Sequence, residues 1–136
     1  MSLPNYVEIE TSRYCNRQCE WCPNQSLKNR TAQDLLPWAY LERAVRSLAV
    51  ARYRGRVGFY KYKKPLANLP LVGEVRFVRG LLPEAKPTIY TNGDLLTPKL
   101  FDELASSGLT QMRLTIYPKN RRSSGPSHET LRAWLK

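Results

Sequence analysis

The sequence predicts an α/β domain built on a parallel sheet of about four βα units. Short β-branched and apolar segments alternate along the 136 residues with longer segments in which apolar residues recur every three or four positions. Alternation of this kind is typical of a parallel sheet with right-handed crossovers and helices outside it. The length favours a single domain, and an apolar content of 42% is that of an ordinary globular protein with its own core.

The first predicted strand covers residues 6–11 and leads into a long loop over residues 12–35 that contains all three cysteines. A loop of that length inside a compact domain usually has a function. Pro37 then suits the first turn of a helix, where its missing N–H is not needed. The apolar stripe of this helix begins at Trp38, which we expect in the core, and Gly55 is the expected terminator.

The middle of the chain predicts a second strand, a second helix and a third strand. The second strand covers residues 57–62 and is closed by Pro65, because proline cannot donate to a sheet ladder. An apolar stripe then predicts a helix over residues 71–82. The third strand, residues 88–91, ends at the Asn-Gly-Asp sequence of residues 92–94, which is a turn signal.

The remaining residues predict a third helix, a fourth strand and a last helix. Thr97 caps the third helix and Gly108 ends it. The fourth strand, residues 112–117, alternates apolar with mostly polar side chains, and the polar loop of residues 119–126 follows. Ser127 is the expected cap of the last helix, which is unfinished where the sequence stops.

Polar side chains follow the predicted strands at their carboxyl ends. In parallel α/β sheets these ends lie at one edge, and ligands bind beyond them. We therefore expect four segments to meet at that edge, namely the cysteine loop, residues 62–65, residues 91–93 and Tyr117.

The three cysteines, Cys15, Cys19 and Cys22, have the spacing C-x-x-x-C-x-x-C. Thiolates this close can converge on one metal centre, and an odd number on one loop is not a disulfide framework. Three thiolates leave one iron of a four-iron cube open to another ligand. The alternative is a structural zinc site of the Cys3His type, whose only available histidine, His128, lies far along the chain.

With the aromatic Trp21 before the third cysteine and a strand before the first, this loop resembles the cluster loop of the radical S-adenosylmethionine (radical SAM) enzymes. The resemblance implies a [4Fe–4S] cluster bound by the three cysteines, with S-adenosyl-L-methionine on the fourth iron and Trp21 near its adenine. It also implies a TIM-like (βα)6 barrel. Residues 1–136 are then expected to be the N-terminal portion of such a core, a fragment or a reduced protein in which the later strands are absent.

The resemblance extends to the strand ends. The family commonly has Thr-Asn-Gly after the third strand, as residues 91–93 have here, and its fourth strand often offers a hydroxyl or amide to the ribose. The cofactor-binding residues implied in this way are Trp21, Asn24, Tyr62, Lys63, Lys64, Pro65, Thr91, Asn92, Thr115 and Tyr117. No catalytic residue is implied beyond the cluster ligands.

One position departs from the family pattern. After its second strand the family usually has Gly-Gly-Glu-Pro or a relative, whose acidic residue meets the ammonium of the cofactor; aligned on Pro65, this chain has Lys64 there. A lysine at about 4 Å from an ammonium would cost on the order of 4 kcal/mol. Three alternatives stay open: Lys64 turns outward, it meets the methionine carboxylate, or the site is degraded.

The implied function is reductive cleavage of S-adenosylmethionine to methionine and a 5′-deoxyadenosyl radical, which abstracts hydrogen from an unknown small-molecule or peptide substrate. The electron would come from a reduced flavodoxin- or ferredoxin-type donor. One alternative is a degenerate, non-catalytic binding module with the same fold. The other, suggested by charge alone, is a zinc-stabilised nucleic-acid binder.

The net charge of +11 fits either an anionic partner or a solvated basic surface. The basic residues are spread along the chain and no RNA-binding signature accompanies them, so nucleic acid is not an expected partner. No apolar run approaches the length of a membrane span, and the N-terminus lacks the apolar core of a signal peptide. A cytoplasmic protein is therefore expected, which agrees with a cluster that must be reduced before it acts.

Overall fold

The computed structural model describes residues 3–17, 22, 34–59, 65–68 and 70–115. In these residues all sheet pairings are parallel, and the strands follow one another across the sheet in chain order. The strands are β1 (Tyr6–Glu8), β2 (Arg56–Gly58), β3 (Lys86–Thr91) and β4 (Gln111–Leu114). The helices are α1 (Trp38–Val50), α2 (Leu71–Leu81) and α3 (Pro98–Ser106). The predicted α/β class with a parallel sheet is confirmed.

The core lies between the sheet and the apolar stripes of the helices. Val57 and Ile89, on the two central strands, are fully buried, and so are Val45, Val75 and Leu104 on the three helices. Burial of an aliphatic side chain contributes about 1.5–3 kcal/mol. Packing of this kind fixes the strands, and therefore also fixes the edge at which their carboxyl ends meet.

β1 is shorter than predicted because the chain changes its pairing partner after Glu8. The Ile9 N–H still donates to the Gly58 carbonyl of β2 at 2.8 Å. Beyond that point the chain leaves the parallel ladder, and Ser12 forms an isolated antiparallel bridge with Leu35. The long cysteine loop is therefore closed at its base by backbone pairing.

Both ends of α3 lie where the sequence predicts them. The Thr97 hydroxyl oxygen accepts a hydrogen bond from the Leu100 N–H at 3.1 Å, which is the N-cap interaction. Gly108 adopts a φ of 97°, and the N–H of Leu109 returns to the carbonyl of Leu104 at 3.1 Å. This is the glycine-terminated helix end that the sequence indicates.

The prediction that Trp38 lies in the core is wrong, since 46% of its surface is exposed. It is the first residue of α1, and the side of this helix that is buried begins one turn later, at Leu41 and Val45. The Trp38 ring instead packs against the ring of Phe77 on α2, with 4.9 Å between centroids. A residue can thus match the period of a stripe and still lie beyond the part of the helix that the sheet covers.

The prediction that Gly55 terminates α1 is also wrong. The reversal falls on Arg52, which adopts a φ of 52°, and the Tyr53 N–H returns to the Leu48 carbonyl at 3.0 Å. Gly55 is needed for space, because a Cβ there would lie 2.7 Å from the Asn5 carbonyl oxygen and would overlap the Tyr53 ring. Its role is close packing at the amino end of β2.

Pro65 follows β2 as predicted, and it opens a short 3₁₀ turn, Pro65–Ala67. β3 begins at Lys86, before the predicted start, and includes Pro87, whose carbonyl accepts a hydrogen bond from the Thr110 N–H at 2.9 Å. The predicted last helix from Ser127 lies outside the described residues. Within the part of the chain that the structure describes, no helix is both long and apolar enough to cross a bilayer.

Candidate functional site

The cysteine loop leaves the carboxyl end of β1 through a short antiparallel pairing. The Arg13 N–H donates to the Asp34 carbonyl at 2.8 Å, and the Leu36 N–H donates to the Thr11 carbonyl at the same distance. Cys15 follows directly and is a half-buried free thiol, as is Cys22. The pairing therefore fixes where the loop starts and returns, at the edge where ligands bind in parallel α/β sheets.

A polar network joins the cysteine loop to the turn after β3, and Asp94 is at its centre. The Arg17 guanidinium donates to both carboxylate oxygens of Asp94, through Nε and Nη2. The side-chain amides of Asn16 and Asn92 donate to Asp94 Oδ2 at 2.9 and 2.8 Å. Asn92 also donates to Asn16 Oδ1 at 3.2 Å. These contacts bring together segments that are 76 to 78 residues apart in the sequence.

The network confirms that the cysteine loop and the third strand end meet at one edge. The ion pair is almost dry, because the side chains of Arg17 and Asp94 are 9% and 2% exposed. A bidentate arginine–carboxylate pair combines charge with two fixed hydrogen bonds. The loop is thus held against the sheet by directional contacts as well as by packing.

The turn after β3 is built as its sequence predicts. Gly93 has a φ of 76°, and its N–H donates to the Thr91 hydroxyl oxygen at 3.2 Å. The Asp94 N–H donates to Asn92 Oδ1, also at 3.2 Å. Thr91 is fully buried and Asn92 is 6% exposed. Both side chains have protein partners, so a contact between them and a cofactor stays a prediction.

A second polar cluster lies between the base of the cysteine loop and the segment after β2. The Asn68 amide donates to Glu74 Oε2 at 2.9 Å and to the Thr11 hydroxyl at 3.1 Å. All three residues are 3% exposed. Burial raises the pKa of Glu74 above its ordinary value of 4.5, and hydrogen bonds from Asn68 and Thr11 partly oppose that rise. Among the described residues Asn68 Oδ1 has no hydrogen-bond partner.

The predicted site residues divide into those that the structure describes and those that it does not. Cys15, Cys22, Thr91, Asn92 and Thr115 are described, and Pro65 is placed at the start of its turn. Thr115 is exposed just after β4, where its N–H donates to the Thr91 carbonyl at 2.8 Å. The predictions for Cys19, Trp21, Asn24, Tyr62, Lys63, Lys64 and Tyr117 lie outside the described residues.

The thiol donor set fits an iron–sulfur cluster. Two of the three cysteines are described, and both are half-buried free thiols, the side-chain type that ligates iron–sulfur clusters. Within the described ranges no three metal-ligating side chains form a group. The third thiol of the motif, on Cys19, lies outside those ranges.

Sequence reasoning missed Asn16, Arg17 and Asp94, which connect the cysteine loop to the turn after β3. A signal for the ion pair was available in the opposite charges of Arg17 and Asp94. Each lies in the segment that follows a strand of the predicted parallel sheet, so the topology brings the two segments to the same edge. Glu74 was also missed, because its place in the helical pattern gives no sign that its carboxylate is buried.

The comparisons with known proteins define the class. The model of the Radical SAM superfamily matches residues 9–117, so the chain belongs to this enzyme family. The match begins directly after β1 and covers β2, β3 and β4.

Relatives of known activity and structure lie within that family. The chain is 33% identical over 113 residues to the S-adenosyl-L-methionine-dependent 2-deoxy-scyllo-inosamine dehydrogenase of Niallia circulans, covering 83% of this chain and 45% of that protein. The crystal structure of selenomethionine BtrN in an open conformation is similar, with a TM-score of 0.78 and 30% identity over 87% of this chain and 52% of that one. The crystal structure of BtrN in complex with AdoMet and 2-DOIA gives the same TM-score with 27% identity. That similarity covers 94% of this chain and 50% of that one. The chain thus spans about half the length of these relatives.

Proposed function

We propose that this chain is the cluster-binding portion of a radical SAM enzyme, in which Cys15, Cys19 and Cys22 hold a [4Fe–4S] cluster. The observation that carries the proposal is the cysteine loop itself. It leaves β1 at the carboxyl edge and is fixed to the turn after β3 through Arg17 and Asp94. Membership of the radical SAM superfamily supports the same assignment.

The bound cluster would supply one-electron reduction of S-adenosyl-L-methionine, giving methionine and the 5′-deoxyadenosyl radical that abstracts hydrogen from the substrate. The electron comes from a reduced flavodoxin- or ferredoxin-type donor in a cytoplasmic, reducing compartment. The chain's own residues bind and orient. The three thiols are proposed to bind iron, and the hydroxyl of Thr115, an exposed residue just after β4, is proposed to bind the ribose.

The substrate class is proposed from a relative, because the chain spans about half of that relative's length. The relative from Niallia circulans is a dehydrogenase of 2-deoxy-scyllo-inosamine. A hydroxylated small molecule is therefore the first substrate class to test, ahead of a peptide. Residues 1–136 are proposed to be the N-terminal portion of the barrel core, and substrate residues are expected in later barrel units.

Anaerobic reconstitution with iron and sulfide tests the cluster assignment. We expect a broad absorbance in the blue that dithionite bleaches, because a four-iron cluster ligated by thiolates is redox-active. Cys15→Ala and Cys22→Ala should each lose bound iron and this absorbance, because two thiolates hold the cube poorly. A single cysteine variant with the iron and sulfide content of the parent would contradict the assignment.

The second measurement separates an enzyme from a non-catalytic module. Lys64, where the family has an acidic residue, favours the non-catalytic alternative. Reconstituted protein is incubated with S-adenosylmethionine and dithionite, and 5′-deoxyadenosine is quantified. A cluster without this product would support the binding module, and a colourless zinc protein would support the nucleic-acid binder. Lys64→Glu should strengthen S-adenosylmethionine binding in calorimetry if the lysine faces the cofactor ammonium.

A further inference from the structure

The carboxylate of Asp94 is engaged by protein donors. It accepts four hydrogen bonds, two from the Arg17 guanidinium and one each from the amides of Asn16 and Asn92. Three of these bonds go to Oδ2 and one to Oδ1, so most of the acceptor capacity of the carboxylate is taken by protein donors. The side chain is also 2% exposed, which removes it from solvent. The contacts that Asp94 makes are therefore with its protein neighbours.

Those neighbours lie inside the cysteine motif. Asn16 and Arg17 follow Cys15 directly and precede Cys19, so they are two of the three residues that separate the first two predicted ligands. Asp94 lies in a tight turn that follows the six-residue strand β3, which is paired on both sides. The contacts thus tie a segment of a long loop to one of the most constrained parts of the sheet.

A long loop that must collect three thiols on one cluster loses conformational entropy when it does so. That loss is smaller if part of the loop is already ordered before the cluster binds, which is the general advantage of preorganisation. The antiparallel pairing at Ser12 and Leu35 orders only the base of the loop. The contacts of Asp94 hold the two residues that follow Cys15.

We propose that Arg17 and Asp94 are positioning residues that hold the first ligand segment of the cysteine loop in its cluster-binding arrangement before the cluster is present. This inference rests on the proposed function, because it assigns the loop to a cluster. It makes a separate claim about the metal-free protein. In that state the loop residues next to Cys15 are already ordered against the turn after β3.

Peptide-resolved hydrogen exchange on the metal-free chain tests the claim. In Arg17→Gln and in Asp94→Asn, the amides of residues 12–17 should exchange about tenfold faster or more, because the local contact that holds them is lost. Amides of α2 and of the first part of β3 should exchange as in the parent. Arg17→Lys keeps the charge without the bidentate geometry, so its exchange should be intermediate.

The matched control is Arg54→Gln, which removes an exposed arginine–carboxylate pair at the other end of the sheet. It should leave exchange in residues 12–17 unchanged. A second readout is iron bound per chain when iron is limiting, which should fall in Arg17→Gln and recover in part in Arg17→Lys.

Two results would overturn the proposal. One is parental exchange of residues 12–17 in both Arg17→Gln and Asp94→Asn. The other is faster exchange across α2 and β3 as well, which would make the pair a general stabiliser of the sheet. If Asp94→Asn does not fold, Arg17→Gln decides, because Arg17 lies outside every described helix and strand. A parent that binds no cluster would refute the proposed function and leave the exchange result standing.

Discussion

Two arginine–carboxylate pairs lie at opposite ends of the same parallel sheet. At the carboxyl edge, Arg17 and Asp94 have side chains that are 9% and 2% exposed. At the amino edge, Arg54 and Glu84 have side chains that are 69% and 60% exposed, with 3.3 Å between Nε and Oε1. The residue types are nearly the same, and the surroundings differ completely.

The difference shows why net charge says little about function here. The amino edge has an open groove of about 530 Å³ with three basic side chains, Arg54, Arg56 and Lys86, among its lining residues. Charges there are solvated, and exposed pairs contribute about 0–1 kcal/mol. At the carboxyl edge a buried pair is tied to two amides, so removing one partner leaves a charge without compensation.

Asp94→Ala should show the largest difference between the two pairs. We expect the free energy of local opening of residues 12–17 to fall by up to about 3–5 kcal/mol, because Arg17 is left without its carboxylate. The global free energy of unfolding should fall much less, because this segment can open alone and release Arg17 into water. Hydrogen exchange measures the local loss, and chemical denaturation measures the global one. Glu84→Ala at the amino edge is the control and should change the free energy by about 1 kcal/mol or less. Equal losses in the two variants would mean that burial does not distinguish the pairs.

The amino edge is sensitive to packing even though its charges are solvated. Gly55→Ala should destabilise the chain by about 1–3 kcal/mol, because the added methyl group overlaps the Tyr53 ring and the Asn5 carbonyl. Gly80→Ala is the control, since Gly80 lies in α2 with nothing within 4 Å of an added Cβ. It should stabilise the chain by about 0.5–1 kcal/mol. Thermal unfolding that ranks the two variants in the opposite order would contradict this account of Gly55.

The parts of the fold that depend on local chemistry could be predicted from the sequence. The cap at Thr97 and the termination at Gly108 are decided by residues within one turn of the helix ends. The meeting of the cysteine loop with the turn after β3 follows from topology, because parallel strands place their carboxyl ends at one edge. Periodicity and connection order are sufficient for both inferences.

The errors concern contacts between residues that are distant in the sequence. Trp38 matches the helical period, but the first three residues of α1 are exposed. Gly55 resembles a helix terminator, but its role depends on Tyr53 and Asn5. The Arg17–Asp94 pair joins residues 77 apart, and no local pattern specifies that partner. Such contacts are decided by tertiary packing, which a single sequence does not display.

The carboxyl edge also has a pH-dependent element in Glu74, whose pKa burial raises above 4.5. The folded chain holds this proton more tightly than the unfolded chain. Protonation of Glu74 therefore contributes its full stabilisation of the folded chain below about pH 4.5. That contribution is lost as pH rises through the higher pKa of the folded state. In the Glu74→Gln variant this position cannot titrate, so the loss of stability with rising pH should disappear. The free energy involved is about 1.4 kcal/mol for each unit by which folding raises the pKa. Urea unfolding from pH 4 to 8 measures the slopes.

The matched control for that measurement is Glu84→Gln, which neutralises a 60%-exposed carboxylate at the amino edge. It should keep the parental decline of stability with rising pH, because Glu74 still titrates in this variant. Identical pH profiles for the parent and Glu74→Gln would mean that the hydrogen bonds from Asn68 and Thr11 fully offset the burial of the carboxylate.

The smallest expected effect belongs to the exposed pair itself. A double-mutant cycle with Arg54→Ala and Glu84→Ala should give a coupling energy of about 0.2–1 kcal/mol, since water screens both side chains. Raising the ionic strength to about 1 M shortens the Debye length to about 3 Å and should remove most of that coupling. The same salt should leave most of the coupling between Arg17 and Asp94, because both side chains lie almost out of solvent. Equal salt sensitivity at the two edges would show that water reaches the Arg17–Asp94 pair as readily as it reaches Arg54 and Glu84.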